Sequence, residues 1–562
     1  MTTPGTGATP TALTATTTTT SSTTMGSLAH AATSIVDPIR AGLLDGWKVV
    51  DASTLDRDLV LEADVAIVGT GAGGGITAEI LCDAGLTVLM IEEGPLKSSS
   101  DFHMLENEAY RDLYQESAAR KTADKAINIL QGRCVGGGTT VNWTSSFRAP
   151  EPTLAYWASA FGIDGFGPGD LAPWFDRVEQ RLGVASWTIA PNANNAALAT
   201  GAEKLGLHWG TIRRNVRGCW NLGYCGLGCP TNAKQSMLVT TIPRALSRGA
   251  TLVTRARAQR FIIRRDRVDA LECQVMDASG TTPASRAITV HARAYVSAAG
   301  AINTPALLLR SHVPDPYGIL GLRTFLHPTV VSAALMPGQI DGFSGAPQSI
   351  FSDHFVQMAP PAGPMGFKLE APPVHPVLAA ITLPGHGRQH AAWMQRLPRM
   401  QVLIALLRDG FHPDSIGGRV RLAGDGTPIL DYALTPYLFD GMRRAFAAMA
   451  EIQFAAGATS VMPVHGEGRR FAGVDGAKTA IEGFDLRPRA TPIVSAHVMG
   501  GAPFGPDPRH AVVDPTGRHH HLANLHVVDG SLFPTSIGAN PQLSIYAIAA
   551  MLATGLAQHL RG

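Results

Sequence analysis

The chain has almost no charge imbalance: 46 Lys and Arg stand against 44 Asp and Glu, a net charge of +2. That balance excludes a strong electrostatic footprint for nucleic acid or an anionic membrane surface. Cysteine is scarce, six in 562 residues, which excludes a disulfide scaffold. Charged residues make up 16% of the chain and hydrophobic residues 45%. There is a large core to bury, so wholesale disorder is excluded. No Lys or Arg precedes Arg40. The N-terminus therefore has neither the basic region of a secretory signal nor the arginines of a mitochondrial presequence. Thirteen of the first 24 residues are Thr. Residues 1–45 read as a low-complexity, disordered tail, with Met25 as an alternative start. A long uninterrupted apolar run is missing too. The charge-free stretch 532–558 is broken by Pro534, Asn540, Pro541 and Gln542, and reads as a loop feeding a buried helix rather than a membrane span. The expectation is a soluble cytoplasmic protein, at most peripheral to the inner membrane.

What the chain does have is glycine, 60 residues, about 11% against a usual 7% or so. The excess is clustered. A β-branched run at 64–68 leads into Gly69-Thr70-Gly71-Ala72-Gly73-Gly74, then into a helical pattern with Ile76, Ile80, Leu81 and Ala84 on one face, stopped by Gly85. A second apolar strand at 87–91 ends in Glu92-Glu93-Gly94. Strand, glycine turn, helix, strand and acid make one βαβ unit of a doubly wound sheet. In Gly69-x-Gly71-x-x-Gly74 the first glycine permits the turn, the second lets backbone approach a pyrophosphate, and the third packs helix on strand. The helix N-terminus offers free N–H groups to the phosphates. Glu92 lies where an acid accepts ribose hydroxyls. The unit predicts dinucleotide binding but does not separate FAD from NAD.

A second glycine loop occupies residues 132–138. Residues 268–275 and 287–292 alternate as strands, the strand 295–298 ends on Gly300, and a helix begins near 304. From about 340 to 490 Pro, Met and His become frequent and glycine loops of this type vanish, as in a second domain covering a substrate pocket. Thr435 and Pro436 read as N-cap and first turn of a helix with Met442, Phe446, Met449 and Ile452 as its apolar stripe. Met400 to Leu407 reads as an apolar helical piece. After 490 the nucleotide-type pattern returns, with a strand at 525–528 ending in Asp529-Gly530. Pro541 opens a helix carrying Ile545, Ile548 and Leu552. Its N-terminus would stabilise negative charge on a reduced flavin. Asn540 sits just before it, and His497 lies in the loop Ser495-Ala496-His497-Val498-Met499-Gly500-Gly501.

These blocks, in this order over residues 60–562, resemble the glucose–methanol–choline (GMC) oxidoreductase family. Within it, Cys225-Gly226-Leu227-Gly228-Cys229-Pro230 and Ala233-Lys234-Gln235-Ser236 are most similar to long-chain alcohol oxidases and dehydrogenases. The resemblance implies an α/β fold: a doubly wound, Rossmann-like FAD-binding domain assembled from segments 60–148, 211–335 and 490–562, plus an α+β substrate-binding domain from 149–210 and 336–489. It implies that Gly69, Gly71, Gly74, Glu92 and Ala258 hold the ADP half of FAD. Arg133, Gly136, Gly137 and Asn142 would lie along pyrophosphate and isoalloxazine, and Gly300, Asp529, Gly530, Pro541 and Gln542 would close the site. His497 corresponds to the catalytic histidine and Asn540 to its partner. Some members attach the flavin through a His just before the asparagine of the second glycine loop. That position is Val141 here, so FAD is expected to be non-covalent.

The implied chemistry is oxidation of a CH–OH group to the aldehyde, with a hydride passing to flavin N5 and a proton to His497 as general base. Long-chain aliphatic alcohols are the expected substrates. A sugar or sterol oxidoreductase, a flavin-bearing lyase, or a subunit of an iron–sulfur flavoprotein dehydrogenase complex are the alternatives. The expected partners are a small alcohol and an electron acceptor (oxygen, a quinone or a cytochrome), without nucleic acid. No metal site is expected. Cys219, Cys225 and Cys229 read first as structural thiols, with iron–sulfur ligation or a redox disulfide as alternatives. His519-His520-His521 reads as an exposed turn rather than a metal site.

Overall fold

The computed structural model describes residues 37–562. The expected N-terminal tail lies outside the described residues up to position 36. Beyond it the expectation fails, because Pro38–Leu44 is helical and buries Ile39 and Gly42. The strand Lys48–Asp51 follows and pairs with Thr251–Thr254, so the first sheet begins before residue 60.

That sheet has eight strands. The run Lys48–Asp51, Thr251–Thr254, Val88–Ile91, Leu59–Val68 and Pro283–Ser297 is parallel, and Leu525–Val527 also pairs with Pro283–Ser297. Arg267–Met276 and Ala256–Arg264 extend it as an antiparallel meander. Residues 65–68 and 88–91 are almost wholly buried. Parallel strands covered on both faces read as continuous apolar runs in this way. The helix Ala72–Asp83 packs on the C-terminal helix Gln542–Arg561 and on Thr241–Ser247. Gln542–Arg561 is long and apolar enough to cross a membrane by composition alone. Here it is a core helix, burying Leu543, Tyr546, Ala550 and Leu556, as its polar interruptions predict.

A second eight-stranded sheet covers the first layer. Its centre is Thr329–Leu335 paired antiparallel to Met400–Leu407, which in turn pairs with Phe367–Glu370. Behind it lies the helix Pro436–Ala455, where the Thr435 side chain accepts a hydrogen bond from Leu438 N as expected of an N-cap. Met400–Leu407 is thus a strand, not a helical piece. Seven of its eight residues are buried, so it shows no period-2 alternation. A short all-apolar run cannot be told from a buried helix by periodicity. A four-stranded sheet, ordered Pro428–Tyr432, Gly418–Leu422, Thr324–Leu326 and Val498–Gly500, joins the layers.

The expected division into two domains becomes two layers of one compact unit, Pro38–Gly562. The helices Glu151–Phe161 and Pro168–Leu182 were expected in the covering layer. They pack instead into the first core through Leu154, Trp157 and Phe175. Trp157 is held there by a hydrogen bond from Nε1 to Thr535 Oγ1 at 2.7 Å. Conversely, Thr329–Leu335 and Ile493–Ser495, expected in the FAD-binding domain, are strands of the second sheet. The composition of the sequence changes where glycine loops stop, whereas the layers divide where helices find apolar partners.

Replacing Thr435 by Ala removes the cap of the helix that backs the second sheet. The expected cost is about 1 kcal/mol of stability, read from denaturant melts, with the visible flavin spectrum unchanged.

Candidate active site

The site grows from the end of the strand Leu59–Val68. Gly69 has φ +95°, and a Cβ there would lie 2.4 Å from Ala298 O, so neither conformation nor space admits a side chain. Gly74 packs helix against strand as expected: a Cβ would fall 2.0 Å from Gly69 O. Thr70 pins the turn. Its backbone N–H and hydroxyl both donate to Glu92 Oε2, at 3.2 and 2.6 Å, while the hydroxyl accepts from Gly136 N–H at 3.0 Å. Glu92 Oε1 accepts from Gly94 N–H. The Glu92 carboxylate therefore organises the loop as well as lining the cavity. Glu93, which sequence reasoning passed over, lines the same end and pairs with Arg257 at 2.9 Å.

The second glycine loop closes on the first. Gly137 has φ +51°, and a Cβ on it would meet Gly71 Cα at 2.9 Å. Gly74 and Gly136 support these loops without lining the cavity. Gly69, Gly71, Gly137, Ala258, Gly300 and Gly530 do line it. Arg133 lines it too. One guanidinium N–H donates to Gly280 O, while its buried Nε has no protein partner. Asp529 spends both carboxylate oxygens on the protein, accepting from Gly300 N–H and Thr304 Oγ1 on one side and Ser531 N–H on the other. Asp529 and Gly530 both line the cavity at that position. Asn142 Nδ2 donates to Gln542 Oε1 at 2.6 Å, tying the second loop to the start of the C-terminal helix.

The lining groups among these share one cavity of about 1420 Å³ that runs from the glycine loops to His497 and Asn540. His497 precedes the strand Val498–Gly500, whose Val498 pairs antiparallel with Leu326. That register places residue 327 opposite residue 497, and the two imidazoles meet Nδ1 to Nδ1 at 2.9 Å. His327 was not anticipated. It lies 170 positions away in sequence, and only strand pairing brings it in. Its Nε2 receives Gly538 N–H at 3.3 Å, a long contact. Burial holds both rings neutral. His497 is lowered to about 3 by desolvation and then by the Lys368 charge, and His327 lies well below the ordinary value for the same first reason.

Asn540 is 5% exposed, and its Oδ1 accepts from Lys368 Nζ at 3.1 Å. Lys368 was also missed; it lies in the strand Phe367–Glu370, whose four residues are all buried.

Beyond this pair the cavity becomes a largely apolar channel. Val331 and Ala333 line it from one strand, and Met400, Val402, Ile404 and Leu406 from the next. The intervening Leu403, Ala405 and Leu407 face the helix side instead. The short helix Pro376–Thr382 closes the channel with Leu378 and Ile381. Its first N–H groups, at Val377 and Leu378, are held by the Glu106 carboxylate at 2.7 and 2.8 Å.

The fit to FAD is direct. Two glycine loops with no room for a Cβ at Gly69, Gly74 and Gly137, an unpartnered Arg133 donor and the N-termini of Ala72–Asp83 and Gln542–Arg561 converge on one cavity. Such donors suit a pyrophosphate and the electron-rich edge of a flavin. The GMC oxidoreductase family model matches in two parts, residues 110–329 and 413–549, more than half of the chain. This chain belongs to the GMC oxidoreductase family. It is an FAD-dependent oxidoreductase. An uncharacterised GMC-type oxidoreductase of Sinorhizobium fredii is 31% identical over 511 residues, covering 90% of this chain and 97% of that protein. A long-chain-alcohol oxidase of Arabidopsis thaliana is 28% identical, covering 89% and 69%. Among solved structures, pyridoxine 4-oxidase from Mesorbium loti shares the fold at TM-score 0.63 and 20% identity, covering 88% of this chain and 99% of that one.

The thiols fall outside this GMC oxidoreductase's redox centre. Among the described residues no group of three or more His, Cys, Asp or Glu is arranged to hold a metal. Cys219, Cys225 and Cys229 are free and half-buried. Cys225 Sγ accepts from Arg214 at 3.6 Å, and Cys219 Sγ from Asn221 N–H at 3.4 Å. The His519 turn is not exposed at its first residue: His519 is 2% exposed.

Two outcomes follow from this geometry. Gly137→Ala should fold but retain less flavin, read as the ratio of visible to ultraviolet absorbance, because its Cβ closes the gap to Gly71. For His497, folding holds an imidazole at about 3 that titrates near 6.5 when unfolded. As pH falls below 6.5 the unfolded chain alone takes up the proton, so stability is lost. Between pH 7 and 5 this one group removes roughly 2 kcal/mol. His497→Gln should show a correspondingly smaller loss in melts over that interval; an equal loss would contradict a neutral, buried ring.

Proposed function

We propose that this protein oxidises long-chain primary alcohols to aldehydes. The observation that carries the reading is the apolar channel ending at His497 and Asn540: its walls offer an alkyl chain van der Waals contact along its length and offer a sugar few partners. Relatives named long-chain-alcohol oxidases support it. A relative named paromamine 6'-oxidase, 28% identical, keeps a sugar-like substrate as the competing reading, which the channel lining disfavours.

When bound, FAD supplies the hydride acceptor. The chain does the rest. Asn540 has its oxygen occupied by Lys368, so its Nδ2–H is the end that holds the substrate oxygen. His497 has its Nδ1 occupied by His327, so Nε2 is the nitrogen that takes the hydroxyl proton. This needs the proton shared by the two rings to sit on His497 Nδ1, and the Gly538 contact, at 3.3 Å, is too long to oppose it strongly. A ring whose ordinary value is depressed so far is a weak base in isolation. The donors at the substrate oxygen therefore have to lower the alcohol's own hold on its proton. Neutral walls and the closed helix Pro376–Thr382 keep water from competing.

We further infer that FAD is held non-covalently, since Val141, which lines the cavity, has no group that bonds to it. Acid precipitation should release the flavin into the supernatant. Six free thiols fit a reducing, cytoplasmic setting.

The test is an anaerobic panel from ethanol to hexadecanol, with sugars and sterols, watching flavin bleaching. Each added methylene should improve kcat/KM about fourfold until the channel is filled, the equivalent of about 0.8 kcal/mol per buried CH2. Bleaching by sugars but not by alkanols would overturn the substrate. His497→Ala should keep its flavin and slow bleaching by about 10²–10⁴-fold; an unimpaired rate would remove the base.

A further inference from the structure

Lys368 is the least expected group near the site. The strand Phe367–Glu370 turns Phe367 and Leu369 into the second core, so alternation sends Lys368 and Glu370 to the opposite face. The Lys368 side chain is 4% exposed and that of Glu370 is fully buried. An ammonium buried this deeply must spend its three N–H groups well. Lys368 donates to Asn540 Oδ1 at 3.1 Å, lies over the face of Phe147 with the ring centre 2.8 Å from Nζ, and forms an ion pair with the Glu370 carboxylate at 3.4 Å. Glu370 in turn accepts from Gln348. A buried ion pair contributes little net stability over an apolar pair of the same volume, so stability does not account for this placement. The contact on the site amide does.

The two ends of a carboxamide are nearly the same size and differ only in polarity. Without a fixed neighbour, Asn540 could present either its oxygen or its NH2 to the cavity. A cation at its oxygen removes that choice. No protein acceptor takes the Nδ2–H among the described residues, and Asn540 lines the cavity.

We propose that Lys368 is a positioning residue for the alcohol oxidation: its buried ammonium fixes the Asn540 amide with NH2 toward the substrate oxygen and supplies the positive field that favours an alkoxide there. This rests on the alcohol-oxidation reading for its kinetic arm only. No bond is made to Lys368 and no proton leaves it. The substrate's proton still goes to His497, and Lys368 acts through the orientation of Asn540 and through its charge.

The electrostatic surroundings are few. His497 faces His327 and, from the strand Phe367–Glu370, Lys368. His327 also feels Arg408, at the end of Met400–Leu407. Lys368 faces Glu370 and, before the helix His354–Gln357, Asp353. Burial moves Lys368 down to about 8, against the pull of those two carboxylates. The lysine charge is thus the cation that helps keep His497 neutral.

The experiment uses the flavin-loaded full chain with Lys368→Met, Lys368→Arg and the double variant Lys368→Met/Glu370→Gln. The double variant leaves no orphaned carboxylate and safeguards folding. Histidine labelled at Cε1, with the His497 signal assigned by its loss in His497→Gln, is titrated by NMR. The expected result is that the His497 midpoint rises in both Met variants and stays low in Lys368→Arg. With hexadecanol under anaerobic conditions, the Met variants should reduce flavin at least about tenfold more slowly with little change in KM, as for a lost transition-state donor. Lys368→Arg should recover part of the rate. A His497 midpoint and a bleaching rate both unchanged in the double variant would overturn the proposal. If no variant, including the parent chain, responds to any alkanol, the alcohol reading fails, and the NMR titration alone decides the role of Lys368.

Discussion

Two backbone segments approach each other at Gly71 and Gly137 so closely that a Cβ on Gly137 would lie 2.9 Å from Gly71 Cα, and the molecule is organised to permit that approach. A methyl group at either glycine has to find room that the structure has given to a ligand or to the opposite loop. Thr70 holds the pair together by donating to Glu92 while accepting from Gly136. Because the loops belong to segments far apart in sequence, the rest of the fold must bring those segments together. The hydrogen bonds from Asn142 to Gln542 and from Gly300 and Thr304 to Asp529 are the cross-links that do so. Pro38–Gly562 is one compact unit because the cofactor cavity is its seam.

The second constraint is dryness. Most polar groups near the reacting end, His327, Lys368, Glu370 and Asn540 among them, are buried, and His497 is half-buried, so pairing or neutrality is favoured there. The two imidazoles stay uncharged and share one proton. Lys368 is paired with Glu370 and directed at Asn540. The apolar strands Thr329–Leu335 and Met400–Leu407 carry this low-dielectric environment outward as a channel. Charge that develops on a substrate oxygen would meet fixed dipoles and an ammonium rather than water.

A third feature is how the channel end is held. Pro376–Thr382 is a seven-residue helix, too short to be stable by itself. It is anchored by the Glu106 carboxylate from the first layer, which takes its leading N–H groups while also accepting from Tyr110. Val377 and Ile381 line the cavity yet remain exposed. The closing element is thus tethered at one end by a single carboxylate and elsewhere by apolar contact and one hydrogen bond, from the His390 ring to Ala380 O at 2.9 Å.

Much of the cofactor end was legible in the sequence. The βαβ unit at 64–94, the second glycine loop, the strand ending at Gly300 and the turn before the C-terminal helix are local patterns. Each requires glycine, an acid or a helix start at fixed offsets, and offsets survive translation into structure. The covering layer was far less legible. Met400–Leu407 carries no alternation because both its faces are buried. The helices at 151–182 changed layers because nothing local says which core an amphipathic helix will join. His327 and Lys368 were invisible as functional groups for the same reason. Leu326 opposite Val498 and Phe367 opposite Leu407 are pairings between strands 172 and 40 residues apart. The sequence by itself determined that phosphates would be met by glycine backbone, since steric freedom is a property of the single residue. Only the tertiary structure decided which histidine, which lysine and which apolar wall would face the substrate, because those are properties of strand register and long-range packing.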